Sequence, residues 1–107
     1  MTPENIIKLI ASKYSLEPKD IILENRELQT VRARTVICAV LRKEFSLSLS
    51  KIGNHISRYH ASVGNLLKGA NDSKFKGIEY EIKEWCAVVS RRSRRKKLWK
   101  AGLISMI

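Results

Sequence analysis

Apolar side chains recur along much of the chain at steps of three and four residues, the spacing that places them on one face of an α-helix. The first such stripe follows Pro3, and Thr2 before it is a suitable cap, so a helix is predicted over about 3–13. Pro18 opens a second, short helical segment, and the polar stretch 24–29 predicts a loop. The longest stripe predicts a central helix over residues 30–45.

Two short helices joined by a tight turn are predicted after the central helix. Ser48 is suited to cap the first of them, and Ser57 is the predicted cap of the second. The second helix is expected to stop at Gly69, because glycine commonly ends a helix in a left-handed conformation. The pattern therefore predicts an all-α fold, a helix-turn-helix bundle of about five to six helices.

A polar linker precedes a final amphipathic helix, whose apolar stripe is expected to dock on the core. The stripe consists of Ile78, Ile82, Trp85, Cys86 and Val89. This helix is long and basic, and it continues into a basic tail. We therefore divide the chain into a helix-turn-helix domain over 1–72 and a C-terminal helix with its tail over 73–107.

Charge indicates the class of partner. The 107 residues include 21 Lys and Arg against 10 Asp and Glu, a formal charge of +11. Polyanions are the natural partners of such a chain, and nucleic acid leads because neutralised phosphates release counterions. The N-terminus has no signal-peptide pattern and no stretch has the length of a membrane span, so a cytoplasmic location is expected and a membrane partner is not.

The sequence contains no arrangement of residues that is typical of a catalytic site or a metal site. Cys38 and Cys86 lie far apart among apolar neighbours, which favours small buried side chains over a disulfide or a zinc site. There is no phosphate-binding glycine loop, and no nucleophile lies beside a base. The sequence predicts a protein that is not an enzyme, with no cofactor, no metal and no small-molecule substrate.

The segment 57–63 places hydrogen-bond donors and an aromatic ring at the start of the second short helix. In helix-turn-helix proteins these positions meet base edges in the major groove. On residue type alone, His60 could also be a buried histidine or an ordinary surface one, and Arg32 and Arg34 could be solvated.

Residues 3–70 resemble the C-terminal DNA-binding domain of the bacterial replication initiator DnaA. Residues 31–35 resemble the family's basic motif Ala-Arg-Pro-Arg-Gln, and residues 58–63 resemble its signature Arg-Asp-His-Thr-Thr-Val. Further matching segments, in the same order and at the same spacing, are Asn5 to Ile7 with Tyr14, Asp20 to Ile22, Leu41 to Phe45 and Ser48 to Gly53.

The resemblance implies duplex DNA as the partner and assigns roles to individual residues. Major-groove contacts fall on Tyr59, His60, Ala61 and Ser62. A minor-groove contact falls on Arg26. Backbone contacts fall on Arg32, Arg34, Thr35 and Lys68. We assign Lys51, Arg58 and Asn65 to the same DNA-binding surface.

Departures from the family indicate a different target sequence. Tyr59 and Ala61 replace the signature's Asp and first Thr, and the turn before the signature is one residue shorter, with Ser57 alone in that place. Gly64 lies within the second helix at a cost of about 1 kcal/mol relative to Ala, and close packing against a neighbour would explain it.

The basic run 91–97 admits three interpretations: a solvated helix end, a clamp on nucleic acid, or a membrane-surface segment. We favour the clamp. It adds four residues to the predicted DNA-binding set: Arg91, Arg92, Arg94 and Arg95.

We expect a stand-alone DnaA-like protein that binds duplex DNA specifically or semi-specifically and controls replication or transcription, without the ATPase module of the initiator. Other replication or transcription proteins are candidate partners, and the expected location is the cytoplasm, on the nucleoid. Two alternatives remain open. A basic helical surface would also serve a binding module for structured RNA, and the tail could make the chain a protein-interaction adaptor.

Overall fold

The computed structural model describes residues 2–23, 27–71 and 75–91, and the regular structure in these ranges is α-helical. In chain order the helices are α1 (Pro3–Lys13), α2 (Pro18–Ile22), α3 (Leu28–Glu44), α4 (Leu49–Ile56), α5 (His60–Asn71) and α6 (residues 78–91). This arrangement confirms the predicted all-α helix-turn-helix bundle.

Helix α1 begins and ends where the sequence predicts. The Thr2 hydroxyl accepts a hydrogen bond from the backbone N–H of Asn5 at 3.2 Å, and Pro3 fills the first position, where a backbone N–H would have no partner in the helix. Ile6 and Ile10, one turn apart, are fully buried. The Thr2 cap determines where the helix starts, and the buried apolar face holds the helix against the core.

Helix α3 forms the centre of the bundle. Residues 33–41 are all buried, so this helix is covered on every side, and α1, α2, α4 and α5 pack around it. The helix begins at Leu28, so the prediction of a loop through residue 29 is wrong at its end. The Gln29 amide donates to the backbone carbonyl of Tyr14, which holds the first turn of α3 against the end of α1.

Helix α4 begins as predicted, since the Ser48 hydroxyl accepts the backbone N–H of Lys51 at 3.2 Å. The prediction that Ser57 caps α5 is wrong. Ser57 ends α4 in a left-handed conformation with φ of 53°, and the carbonyl of Tyr59 accepts the first bond of α5, from the N–H of Val63. The chain changes direction at Ser57 in the tight turn. The residue predicted to cap α5 therefore adopts the left-handed conformation that ends α4.

The predicted stop of α5 at Gly69 is also wrong, because the helix continues to Asn71. Ala70 is buried in the core, 5% exposed. Burial of the Ala70 side chain stabilises the two helical residues beyond Gly69, and it outweighs the weak tendency of Gly69 to end the helix.

Helix α6 returns along the bundle after Gly77, whose φ of +77° is a conformation that glycine adopts without strain. Its predicted apolar stripe is confirmed: Ile78, Ile82 and Val89 belong to the buried cluster of the other helices, and Trp85 and Cys86 pack partly against it. Cys38 and Cys86 are both free thiols. Burial raises the pKa of Cys38 to about 12, so this thiol is an inert core side chain.

Candidate nucleic-acid interface

The turn between α4 and α5 depends on Gly53. The backbone N–H of Arg58 donates to the carbonyl of Gly53 at 2.9 Å, which brings the two backbones together. A Cβ atom at position 53 would lie 2.3 Å from the carbonyl oxygen of Arg58, a distance that real side chains do not tolerate. Glycine is therefore required at position 53 for α5 to leave the turn in its observed direction.

The first turn of α5 projects from the bundle. Tyr59 is 77% exposed, and the three residues after it are exposed as well. The Tyr59 and His60 rings lie side by side, with centroids 5.7 Å apart and planes inclined at 46°. Val63, one residue further along, is fully buried and anchors the helix to the core. The segment predicted to meet base edges is thus presented to solvent by a helix fixed from behind.

Further along α5, Asn65 and Lys68 are exposed on the same side as Ala61. Lys51, in the first turn of α4, is exposed too. The structure therefore gathers seven of the predicted DNA-binding residues on the outer surface of α4 and α5 and the turn between them: Lys51, Tyr59, His60, Ala61, Ser62, Asn65 and Lys68.

Gly64 lies in α5 without the close packing that the sequence suggested. A Cβ atom there would lie 3.9 Å from the Leu49 side chain, an ordinary contact distance. That explanation is wrong, and nothing else in the structure accounts for glycine at this position.

Arg58 turns back into the protein. Its guanidinium donates to the carbonyls of Ile22 at 2.7 Å and Leu23 at 2.6 Å, at the end of α2, and to the carbonyl of Ser57 at 3.1 Å. These bonds satisfy carbonyls that a helix end leaves without partners. Arg58 therefore ties the turn to the end of α2.

Arg34 also donates hydrogen bonds to the end of α2. It is 5% exposed, and its Nε donates to the carbonyl of Ile21 at 2.8 Å while its Nη2 donates to the carbonyls of Asp20 and Leu23. Burial, and next the nearby Arg58 guanidinium, lower the pKa of Arg34. Its position inside the bundle is that of a structural arginine.

Arg32 bonds to a cluster beneath α6. Its Nε lies 3.1 Å from the Tyr14 hydroxyl and 3.2 Å from a carboxylate oxygen of Glu81, and its Nη1 donates to the carbonyl of Lys76 at 3.0 Å. The Tyr14 hydroxyl also donates to Glu81 at 2.6 Å. Burial, and next the hydrogen bond to Glu81, raise the pKa of Tyr14 to about 12. The cluster joins α1, α3 and α6.

The predicted backbone contacts of α3 are thus all bonded inside the protein. Thr35, the third of them, is 1% exposed and donates its hydroxyl to the carbonyl of Val31 at 2.8 Å. A phosphate contact by Arg32, Arg34 or Thr35 stays a prediction, and for buried Arg34 and Thr35 it would require these internal bonds to open.

Other predicted residues fall at or beyond the edge of what the structure describes. Arg91 is exposed at the end of the described part of α6. Arg26, Arg92, Arg94 and Arg95 lie outside the described residues.

The roles of Gly53 and Glu81 were not predicted from the sequence. Glu81 sits on the stripe that carries Ile78, Ile82 and Trp85, and it is 8% exposed. A carboxylate among apolar positions is rarely buried without a partner, so its place on the stripe was an available signal for a buried cation.

The described residues, 2–23, 27–71 and 75–91, contain neither a metal-ion site nor a membrane-spanning helix. Within these ranges no group of His, Cys, Asp and Glu side chains is arranged to hold a metal ion. No helix there has both the length and the hydropathy to cross a membrane.

The capped helix α4, the tight turn and the projecting helix α5 define a helix-turn-helix protein. The model of the family described as bacterial dnaA protein helix-turn-helix matches residues 3–68. The chain belongs to this family.

Individual relatives agree with the family assignment. The chain is 33% identical over 89 residues to "Chromosomal replication initiator protein DnaA" of Nautilia profundicola, covering 78% of this chain and 19% of the relative. It is 33% identical over 63 residues to "Chromosomal replication initiator protein DnaA 1" of Chlamydia muridarum, covering 59% of this chain and 14% of the relative. The chain thus spans a fifth or less of these relatives. No solved structure matches it significantly.

Proposed function

We propose that this chain binds duplex DNA, with sequence preference, by placing the first turns of α5 in the major groove. The helix-turn-helix of its family is a non-catalytic DNA-binding module, and the curated relatives are named as replication initiators. The proposed role is control of replication initiation, or of transcription from the same kind of site.

The exposed start of α5 is the observation that carries this proposal. Tyr59, His60, Ala61 and Ser62 are all exposed, and the next residue, Val63, is fully buried and fixes the helix to the core. A helix held in this way enters a groove with a fixed orientation, which sequence-specific contacts need.

Electrostatic attraction supports the same surface. Lys51 on α4 and Lys68 on α5 are both exposed, and we assign them to phosphates beside the groove. The formal charge of +11 supplies the long-range attraction. We propose that Arg26 and the basic run that begins at Arg91 add minor-groove and backbone contacts.

The test is selection of bound duplexes from a random pool by the full chain at near-physiological salt. We expect an enriched motif, and we expect the Asn5→Ala variant, altered at an exposed position of α1, to enrich the same one. Recovery of all sequences alike would contradict specific binding. A preference for structured RNA over duplex DNA in direct competition would favour the RNA-binding alternative. Absence of any nucleic-acid affinity would favour the adaptor.

A further inference from the structure

Helix α5 turns a narrow set of side chains outward. Successive residues of an α-helix are rotated by about 100°, so Ala61, Asn65 and Lys68 fall within about 60° of one another on the helix surface. All three are exposed, whereas Val63, on the opposite side, is fully buried. The middle of the surface that would face the floor of the groove is therefore formed by Ala61 and Asn65, with His60 and Ser62 at its sides.

The Asn65 amide is the hydrogen-bonding group on this central stripe. It is exposed, and its side chain makes no hydrogen bond within the part of the chain that the structure describes. An amide offers a donor and an acceptor side by side. In the major groove adenine offers the matching pair, its N7 acceptor and its N6 amino donor, and asparagine binds both at once.

Ala61 lies one turn before Asn65, with the two Cβ atoms about 5 to 6 Å apart, as for any pair of residues spaced by four in a helix. Base pairs are stacked about 3.4 Å apart, so the two side chains reach pairs that are one or two steps apart. The Ala61 side chain is a methyl group. Its natural counterpart in the major groove is the C5-methyl of thymine.

Side chains that favour G·C pairs are few in this helix, and only Lys68 among them can bind guanine. The sequence of α5 contains no Arg, which binds guanine, and no Asp or Glu, which accept from the cytosine amino group. Its one basic residue, Lys68, lies two turns beyond Ala61, towards the end of the helix.

From these observations we propose that α5 recognises A·T base pairs, with the Asn65 amide bound to an adenine and the Ala61 methyl packed on a thymine methyl one or two steps away. This rests on the proposed function, and it names the bases that the same surface selects.

The test uses single-atom changes in a short duplex that carries the selected motif. Replacing an adenine by 7-deazaadenine removes only the N7 acceptor, and replacing a thymine by uracil removes only the methyl group. At one adenine we expect the wild-type chain to lose about 3- to 10-fold in affinity, the worth of one hydrogen bond. At one neighbouring thymine we expect a loss of about fourfold, the worth of one methyl group.

Variants of the chain assign each loss to its residue. Asn65→Ala should lose about 5- to 150-fold on the unmodified site and should no longer distinguish adenine from 7-deazaadenine. Ala61→Gly should no longer distinguish thymine from uracil, with adenine recognition retained. Asn5→Ala removes an exposed asparagine from α1 and should respond to both modified bases as the wild-type chain does. Circular dichroism of each variant verifies that it is folded.

The outcomes separate this inference from the proposed function. An enriched motif that lacks A·T pairs under α5, or equal sensitivity of the wild-type chain and Asn65→Ala to 7-deazaadenine, overturns the inference and leaves DNA binding intact. Failure to enrich any duplex overturns both.

Discussion

The Arg32 guanidinium and the Glu81 carboxylate bind each other across 49 positions of sequence, with Nη2 and Oε2 3.2 Å apart. Tyr14 donates to the same carboxylate at 2.6 Å, and the Lys13 ammonium lies 3.6 Å from it. One buried acidic side chain thus gathers partners from α1 and α3 and fixes α6 on the bundle. An arginine that family resemblance assigns to DNA is used here to hold the protein together.

The first prediction concerns that carboxylate. Glu81→Gln should lower the free energy of unfolding by about 2 kcal/mol, because it removes the charge that Arg32 and Tyr14 face in a largely buried position. Urea denaturation followed by circular dichroism measures the change. Glu79→Gln, an exposed position on the same helix, is the control and should change stability by less than about 0.5 kcal/mol. A change at Glu81 as small as the change at Glu79 would show that the cluster does not contribute to stability.

Two glycines in the helix-turn-helix should respond oppositely to the same change. Gly53→Ala would push a methyl group against the Arg58 carbonyl, at 2.3 Å, and should destabilise the chain by more than about 2 kcal/mol. Gly64→Ala should stabilise it by about 0.5 to 1 kcal/mol, since alanine is the better helix former and the new methyl group meets only ordinary contacts. Thermal unfolding of the two variants measures both changes in stability. A stabilising effect of Gly53→Ala would contradict the close approach of the Arg58 carbonyl to position 53.

Arg34, which is buried, and Lys68, which is exposed, should respond differently to the loss of their charge. Arg34→Gln should destabilise the fold, because buried carbonyls at the end of α2 lose their donor, while the salt dependence of DNA binding stays as it is. Lys68→Gln should leave stability unchanged and make the slope of log affinity against log salt shallower by about one unit. A shallower slope for Arg34→Gln in a fully folded variant would restore the phosphate contact implied by the resemblance.

The basic tail is predicted to add affinity without adding sequence preference. Replacing all basic residues of 91–107 by Gln should weaken binding steeply at low salt and less at high salt, where phosphate contacts are already screened, and should leave the selected motif unchanged. Glutamine substitution keeps the apolar residues of the segment. Unchanged affinity and salt dependence would mean that the run is solvated or serves another partner.

Helix positions followed from local signals wherever those signals agreed with burial. Thr2 with Pro3, and Ser48, mark helix starts that depend only on nearby backbone N–H groups, so they could be identified from sequence. Ser57 and Gly69 were misassigned because the turn geometry and the burial of Ala70 decide those ends, and both are tertiary effects. The stripe of α6 was predictable from its spacing, but the partners of Glu81 were not, since they come from distant parts of the chain.

The candidate site was likewise predictable from the sequence only in part. The exposure of His60 and its neighbours follows from their place at the start of a helix whose apolar side is evident in the sequence. The inward turn of Arg58 and Arg34 could not be foreseen, because it depends on carbonyl groups at the end of α2. The sequence identifies which side chains are charged. Only the fold shows which of them are already hydrogen-bonded to helix ends within the protein.

The central claim is that α5 recognises base sequence, and the affinity of His60→Ala for two duplexes tests it most directly. One duplex carries the selected motif and the other a scrambled sequence of the same composition, at the same salt. We predict that His60→Ala loses about 1 to 3 kcal/mol of binding free energy on the motif and almost nothing on the scrambled duplex. Equal losses on both duplexes, or no loss on either, would contradict base recognition through the start of α5.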